Sequence, residues 1–212
     1  MQPTSTVNMD PYVYPGTNVL RNVRDIHDSD KLAELEAQAT NFRIRQLEHK
    51  PIVGEFDTRH LQFIHHHIFQ DVYPWAGELR TVDIGKAGGL FAFKEHIVST
   101  LAKTFEDLKK ERHLSGADLK RFCSRGAHYL GEINAVHPFR EGNGRTQREF
   151  MRALALKNGY ALDWSRVSRD QMMEASKQSF RRDNLGLDKV LKSALDNEQN
   201  RRRERDRDDG ER

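Results

Sequence analysis

A single cysteine, Cys123, occurs in 212 residues, which excludes an intramolecular disulfide framework and a Cys-rich zinc module. Long apolar runs are absent too. Hydrophobic residues make up 36% of the chain and charged residues 32%, and no segment approaches the roughly 20 apolar residues that a membrane-spanning helix needs. The opening Met1-Gln2-Pro3-Thr4-Ser5 has no basic stretch followed by an apolar block, so no secretory signal of the usual kind is expected, and a reducing cytoplasm is. Charge of one sign is scarce as well. With 35 Lys and Arg against 32 Asp and Glu, the net charge is +3, a weak field beside a clustered basic face, so nucleic-acid binding is not expected from charge.

Prolines are few, six in all, and two of them flank the segment Asp10-Pro11-Tyr12-Val13-Tyr14-Pro15-Gly16. Proline and glycine disfavour helix here, so residues 1–28 are expected to form an extended arm packed on the domain. Beyond it, apolar residues recur at helical spacing. Helices are expected from about Ser29 to Leu47, Thr58 to Phe69, Glu95 to Glu111, Ser115 to Val136, Asn143 to Leu156, Ser168 to Phe180 and Leu185 to Leu195. Between the second and third, residues 79–93 alternate Leu79, Val82, Ile84, Leu90, Phe91 and Phe93 around Gly85-Lys86-Ala87-Gly88-Gly89, which reads as a β-hairpin. The fold class is therefore all-α with one small hairpin over residues 29–197. Residues 198–212 hold six Arg and six acidic residues and nothing apolar, so a disordered charged tail is expected.

The chemistry concentrates in His137-Pro138-Phe139-Arg140-Glu141-Gly142-Asn143-Gly144-Arg145-Thr146-Gln147-Arg148. Read physically, this is a short loop opening a helix, where free backbone N–H groups and the helix dipole favour an anion such as phosphate. Gly142 and Gly144 allow close backbone approach, and Arg145 and Arg148, three apart, can each reach phosphate oxygens. Glu141 offers the hard oxygen that holds Mg²⁺ beside substrate phosphates. His137 is suited to general-base work near neutral pH. The motif breaks the dinucleotide-binding pattern, since Gln147 stands where a third glycine is needed, and Gly85-Lys86-Ala87 breaks the P-loop pattern.

The segment resembles the signature of the Fic (filamentation induced by cAMP) family, His-Pro-Phe-x-(Asp/Glu)-Gly-Asn-Gly-Arg-x-x-Arg, at every defined position. The stretch Ile64-His65-His66-His67-Ile68-Phe69-Gln70-Asp71-Val72-Tyr73-Pro74-Trp75-Ala76-Gly77-Glu78-Leu79-Arg80 is similar to the family's segment before its flap. The resemblance implies a Fic (Fido) fold and AMP transfer (AMPylation) from Mg²⁺-bound ATP to a protein hydroxyl. It further implies His137 as base, Glu141 as Mg²⁺ ligand, and Gly142, Asn143 and Gly144 as phosphate cradle. Arg145 and Arg148 would take the β- and γ-phosphates, and Phe139 would anchor the motif in the core. The hairpin would be the flap, with Val82, Ile84, Lys86, Leu90 and Phe91 docking target and nucleotide by main-chain pairing. Arg140 stands at the variable position and is assigned no role.

Many members carry an inhibitory (Ser/Thr)-x-x-x-Glu-(Gly/Asn) helix. Here only Glu141 is followed by Gly or Asn, and the residue four before it is His137. The chain thus resembles the class I toxins, whose brake is a separate small antitoxin. In that class the targets are ATPase subunits of DNA gyrase and topoisomerase IV, and the place of action is the bacterial cytoplasm, or another cell if the chain is a fragment of a translocated effector. Transfer of another nucleotide or a phosphoryl group, and a non-enzymatic basic binding module, are the alternatives. His65-His66-His67 point around a helix and are not expected to bind metal. His128 and Glu132 read as a surface pair, Cys123, Trp75 and Trp164 as core residues.

Overall fold

Two helices that meet at the motif form the centre of the molecule. The computed structural model describes residues 10–86 and 89–210, without the side chains of Lys86, Arg201, Arg205, Asp208 and Asp209. In chain order the elements are α1 Ser29–His49, α2 Thr58–Phe69, β1 Gly85–Lys86, β2 Gly89–Leu90, α3 Ile97–Lys110, α4 Leu119–Val136, α5 Asn143–Lys157, α6 Arg169–Phe180, α7 Leu185–Leu195 and α8 Glu198–Gly210. Helix α4 is buried along Phe122, Cys123, Ala127, Leu130 and Ile133, and α5 along Phe150, Met151, Leu154 and Ala155. Two glycines let α4 lie close to its neighbours: a Cβ at Gly126 would stand 3.2 Å from Leu191, and one at Gly131 would stand 2.5 Å from Asn184. Among the described residues no helix is long and apolar enough to cross a membrane.

Helix starts follow their caps. Asp28, Asp57 and Asp118 accept from first-turn N–H groups of α1, α2 and α4, and Ser168 with Gln171 forms a full capping box on α6. The expected start at Ser115 moves to Leu119 because Gly116, at φ 80°, and the Asp118 cap hold the chain out of helix. The arm over residues 10–28 folds back on itself through a Val13–Leu20 bridge, burying Tyr12, Tyr14 and Val19; residues 1–9 lie outside the described residues. Of the expected hairpin over 79–93, only two residues per strand pair, Gly85 with Leu90 and Lys86 with Gly89, and the turn at 87–88 lies outside the described residues.

The expected disordered tail is a helix over Glu198–Gly210. Composition misled because polar groups dock it. Asn200 is fully buried, accepts from Ala161 N–H at 2.9 Å, and donates to the carbonyls of Ala161 and Leu195 at 2.9 and 2.7 Å. Tyr160 donates to Glu204 at 3.1 Å and carries Arg203 over its ring at 4.8 Å. Hydrogen bonds between fixed partners replaced the apolar burial that the tail lacks.

Helix α2 carries two fully buried histidines, His60 and His65. In each, Nδ1 accepts a backbone N–H, from Phe56 and from Gly77, so the proton sits on Nε2, which donates to the carbonyls of Ile52 and Glu141. Burial holds both below the usual imidazole range, His65 down to about 3.

Two outcomes follow from this packing. Asn200→Ala, which strands the Ala161 N–H and removes one of two donors from each of the Ala161 and Leu195 carbonyls, is expected to cost about 1–3 kcal/mol in chemical denaturation and to open 198–210 to protease; unchanged stability and cleavage would show that the helix does not depend on this side chain. Because unfolded His60 and His65 bind protons below about pH 6.5 that the folded protein refuses, stability must fall as pH drops through that value. Each contributes up to about 1.4 kcal/mol per pH unit, and a denaturation midpoint that stays level from pH 7.5 to 5.5 would contradict neutral, buried histidines.

Candidate active site

The motif occupies the turn between α4 and α5. His137 closes α4 in the left-handed region, φ 48° and ψ 62°, because the following proline bars the ordinary helical geometry. That conformation costs a non-glycine residue about 1–2 kcal/mol, so something must hold it. Arg80 does. Its buried side chain donates from Nε to the His137 carbonyl at 2.8 Å, and its terminal nitrogens donate to the carbonyls of Val136, Val82 and Ala92 at 3.1, 2.6 and 2.5 Å. Its own N–H donates to Pro138 O at 2.9 Å. One guanidinium therefore joins the end of α4 to both legs of the hairpin, and burial lowers its pKa from the usual arginine value.

The His137 ring lies flat on Phe91, with centroids 3.8 Å apart and planes at 12°. Nδ1 lies 3.3 Å from the Asn134 carbonyl, which assigns the proton to Nδ1 and the lone pair to Nε2. Asn134 is held in turn by α6, donating to Ser176 O and Ser179 Oγ at 3.1 and 3.3 Å. Phe180, at the end of α6, meets Phe91 edge to face at 5.6 Å. Phe91, expected to dock target, thus lies first on the His137 ring. Leu90 is exposed, Val82 and Ile84 are half-buried and lend carbonyls to Arg80 and Phe91, and the side chain of Lys86 lies outside the described residues.

Phe139 is buried, its ring stacked on His65 at 3.9 Å. Gly142 adopts φ 82° and a Cβ there would stand 2.2 Å from Phe69, so its glycine is required by conformation and packing together. The side chain of Asn143 is engaged within the loop: its amide accepts from Phe139 N–H at 2.9 Å and donates to Phe139 O at 2.8 Å, closing the loop on itself. What α5 offers an anion is main chain. The N–H groups of Asn143, Gly144 and Arg145 make no hydrogen bond among the described residues.

The two arginines differ. Arg145 donates to Glu36 at 2.6 Å and Thr40 at 3.2 Å on α1, lies 4.7 Å over the Phe69 ring, and stands 3.6 Å from Glu141. Tyr73 donates to the other oxygen of Glu36. Arg148 is half-buried and makes no ion pair or side-chain hydrogen bond among the described residues. Burial and the neighbouring Arg145 both lower its pKa, Glu149 opposing them. A guanidinium short of counter-charge beside three open amides is a site for a polyanion.

Glu141 is about half exposed, with Oε1 accepting from Gly142 N–H at 2.8 Å. No group of three or more His, Cys, Asp or Glu gathers among the described residues. One open carboxylate suits Mg²⁺ arriving with a nucleotide, since that ion keeps its waters and phosphate oxygens and takes few protein ligands. Sequence reading missed Arg80, His65 and Glu36. Arg80 and His65 lie within the quoted second stretch, but only the fold shows what they touch.

The Fic/DOC family profile matches residues 55–155. The protein adenylyltransferase VbhT of Bartonella schoenbuchensis is 44% identical over 81% of this chain, which spans only 36% of VbhT. The probable protein adenylyltransferase y4lH of Sinorhizobium fredii is 40% identical over 81% of this chain and 88% of its own length. The crystal structure of BepC of Bartonella tribocorum, with bound AMPPNP, superposes with a TM-score of 0.82 at 25% identity, over 86% of this chain and 95% of that one. With the motif complete, the helical frame shared and a relative of similar length this alike, the chain belongs to the Fic/DOC family.

Proposed function

We propose that the chain transfers AMP from Mg²⁺-bound ATP to a hydroxyl side chain of a target protein. The observation that carries this reading is Arg148, half-buried beside Arg145 without a counter-charge among the described residues, at the mouth of a helix whose first amides are open. The AMPPNP bound to BepC supports a nucleotide as the anion.

The target hydroxyl oxygen forms a bond to the α-phosphorus while the bond from that phosphorus to the bridging oxygen breaks, and pyrophosphate leaves. The hydroxyl proton passes to Nε2 of His137, whose Nδ1–H is oriented by the Asn134 carbonyl. The Phe91 face against the imidazole favours the cation that this transfer creates. The open amides and Arg148 hold the leaving phosphates; Arg145, fixed in plane by Glu36 and Thr40, spends two of its five donors there and keeps others for a phosphate oxygen. Glu141 is the residue that would hold Mg²⁺, which when bound neutralises phosphate charge as a Lewis acid. The hairpin edge, carrying exposed Leu90, receives an extended target segment by main-chain pairing.

The regulation and target belong to the same reading. With no (Ser/Thr)-x-x-x-Glu-(Gly/Asn) segment in the sequence, the brake is a separate antitoxin that supplies such a helix, and the chain is the toxin of the pair. Its targets are the ATPase subunits of DNA gyrase or topoisomerase IV in the bacterial cytoplasm.

With bacterial lysate and Mg²⁺, label from the α-phosphate of ATP, and none from the γ-phosphate, should appear on protein. Label from the γ-position would instead mean phosphoryl transfer. His137→Ala should lower transfer about 100- to 10,000-fold while ATP affinity holds, whereas Arg148→Ala should weaken ATP binding about 10- to 100-fold; ATP affinity that ignores Arg148 removes that arginine from the site. Expressed without a partner, the wild type should arrest growth of a bacterial host and His137→Ala should not, and equal growth of both would end the toxin reading.

A further inference from the structure

His65 belongs to no part of the signature, yet it touches the motif more intimately than most of the signature's own side chains. Its ring is fully buried, lying between Phe139, 3.9 Å away at 15°, and Phe69, 4.7 Å away at 28°. Nδ1 accepts from Gly77 N–H at 2.7 Å, and Nε2 donates to the carbonyl of Glu141 at 3.0 Å. Gly77 itself must be glycine for this approach, since it sits at φ 89° and a Cβ there would stand 2.9 Å from His66.

The partner it takes is the significant one. In a helix continued backwards by one residue, the Glu141 carbonyl would accept the N–H of Arg145. The ladder of α5 begins one step later, with Thr146 N–H on Gly142 O at 3.1 Å, and Arg145 N–H makes no hydrogen bond among the described residues. The left-handed Gly142 turns the preceding peptide away from the helix axis, and His65 fixes that peptide by its oxygen. The geometry points to His65 as a positioning residue that keeps the nucleotide cradle open: by holding the Glu141 carbonyl it prevents the first turn of α5 from closing on the Arg145 amide. This rests on the AMP-transfer reading for the identity of the anion, and on the hydrogen bonds alone for the open amide. Few side chains can do both jobs, since an acceptor and a donor must stand on opposite sides of one flat ring between two aromatic faces.

The test exchanges the two properties of the ring. His65→Phe keeps the stack and removes the donor; His65→Gln gives up the stack but places an N–H at the reach of Nε2. ATP binding is measured by calorimetry in EDTA, which leaves the metal out, together with amide hydrogen exchange in the absence of nucleotide. His65→Phe should lose at least about tenfold in ATP affinity and gain exchange protection at Arg145, and His65→Gln should recover most of the affinity. Affinity unchanged in His65→Phe, or lost equally in both variants, would overturn the assignment in favour of plain packing. Should His65→Phe fail to fold, the wild type decides: its Arg145 amide must exchange freely without nucleotide and become protected on adding ATP, and a protected amide in the nucleotide-free protein overturns the inference. A wild type that binds no ATP but has a freely exchanging Arg145 amide would sink the AMP-transfer reading and leave the role of His65 in holding the turn standing.

Discussion

The guanidinium of Arg80 has no exposed surface, and its charge is met by main-chain oxygens instead of a carboxylate, Asp83 standing off at 3.9 Å. Burying a cation this way is costly unless every donor finds an acceptor, and here the acceptors come from three pieces of chain that otherwise have little reason to meet. The end of α4, the leg leading into the hairpin and the leg leading out all converge on it. With so little strand pairing among the described residues, the hairpin keeps its place because this side chain ties it to the helix that ends at His137. The strained backbone of His137 persists for the same reason.

Much of this was legible in the sequence, and the reasons for success and failure are physical. Local signals placed the helices: caps at Asp28, Asp57 and Ser168 and apolar spacing along α4 and α5 act within a few residues of what they specify. The motif was legible because its residues carry chemistry as a set. Contacts between distant residues were not. Nothing in the spacing of Arg80, His65 or Glu36 reveals that each ends on the motif, 57, 76 and 109 residues away from its partner there. The C-terminal helix failed for a further reason, because composition arguments count apolar surface and overlook a single well-placed amide such as that of Asn200.

The two motif arginines divide the electrostatics between them. Arg145 is neutralised from α1 by Glu36, which is itself pinned by Tyr73, so its position is fixed before any ligand arrives. Arg148 lacks such a partner among the described residues and sits where water is partly removed, so in the proposed reading it is where a phosphate would gain the most. A rigid cation and an unsatisfied one side by side bind a polyanion with little reorganisation of the protein.

Arg140, at the one position of the loop that the signature leaves open, brings Nε and a terminal nitrogen to one oxygen, Oδ2, of Asp10 of the arm at 2.9 and 2.8 Å. Its neighbours in the loop point inward to the chemistry, while Arg140 points outward to a strap of chain that the family profile does not cover. The two halves of this latch can therefore change together, in size, sign or polarity, without removing any hydrogen bond that His137, Asn143 or Arg145 makes. The arm is thereby tethered to the motif by a contact that involves none of the motif's defined side chains.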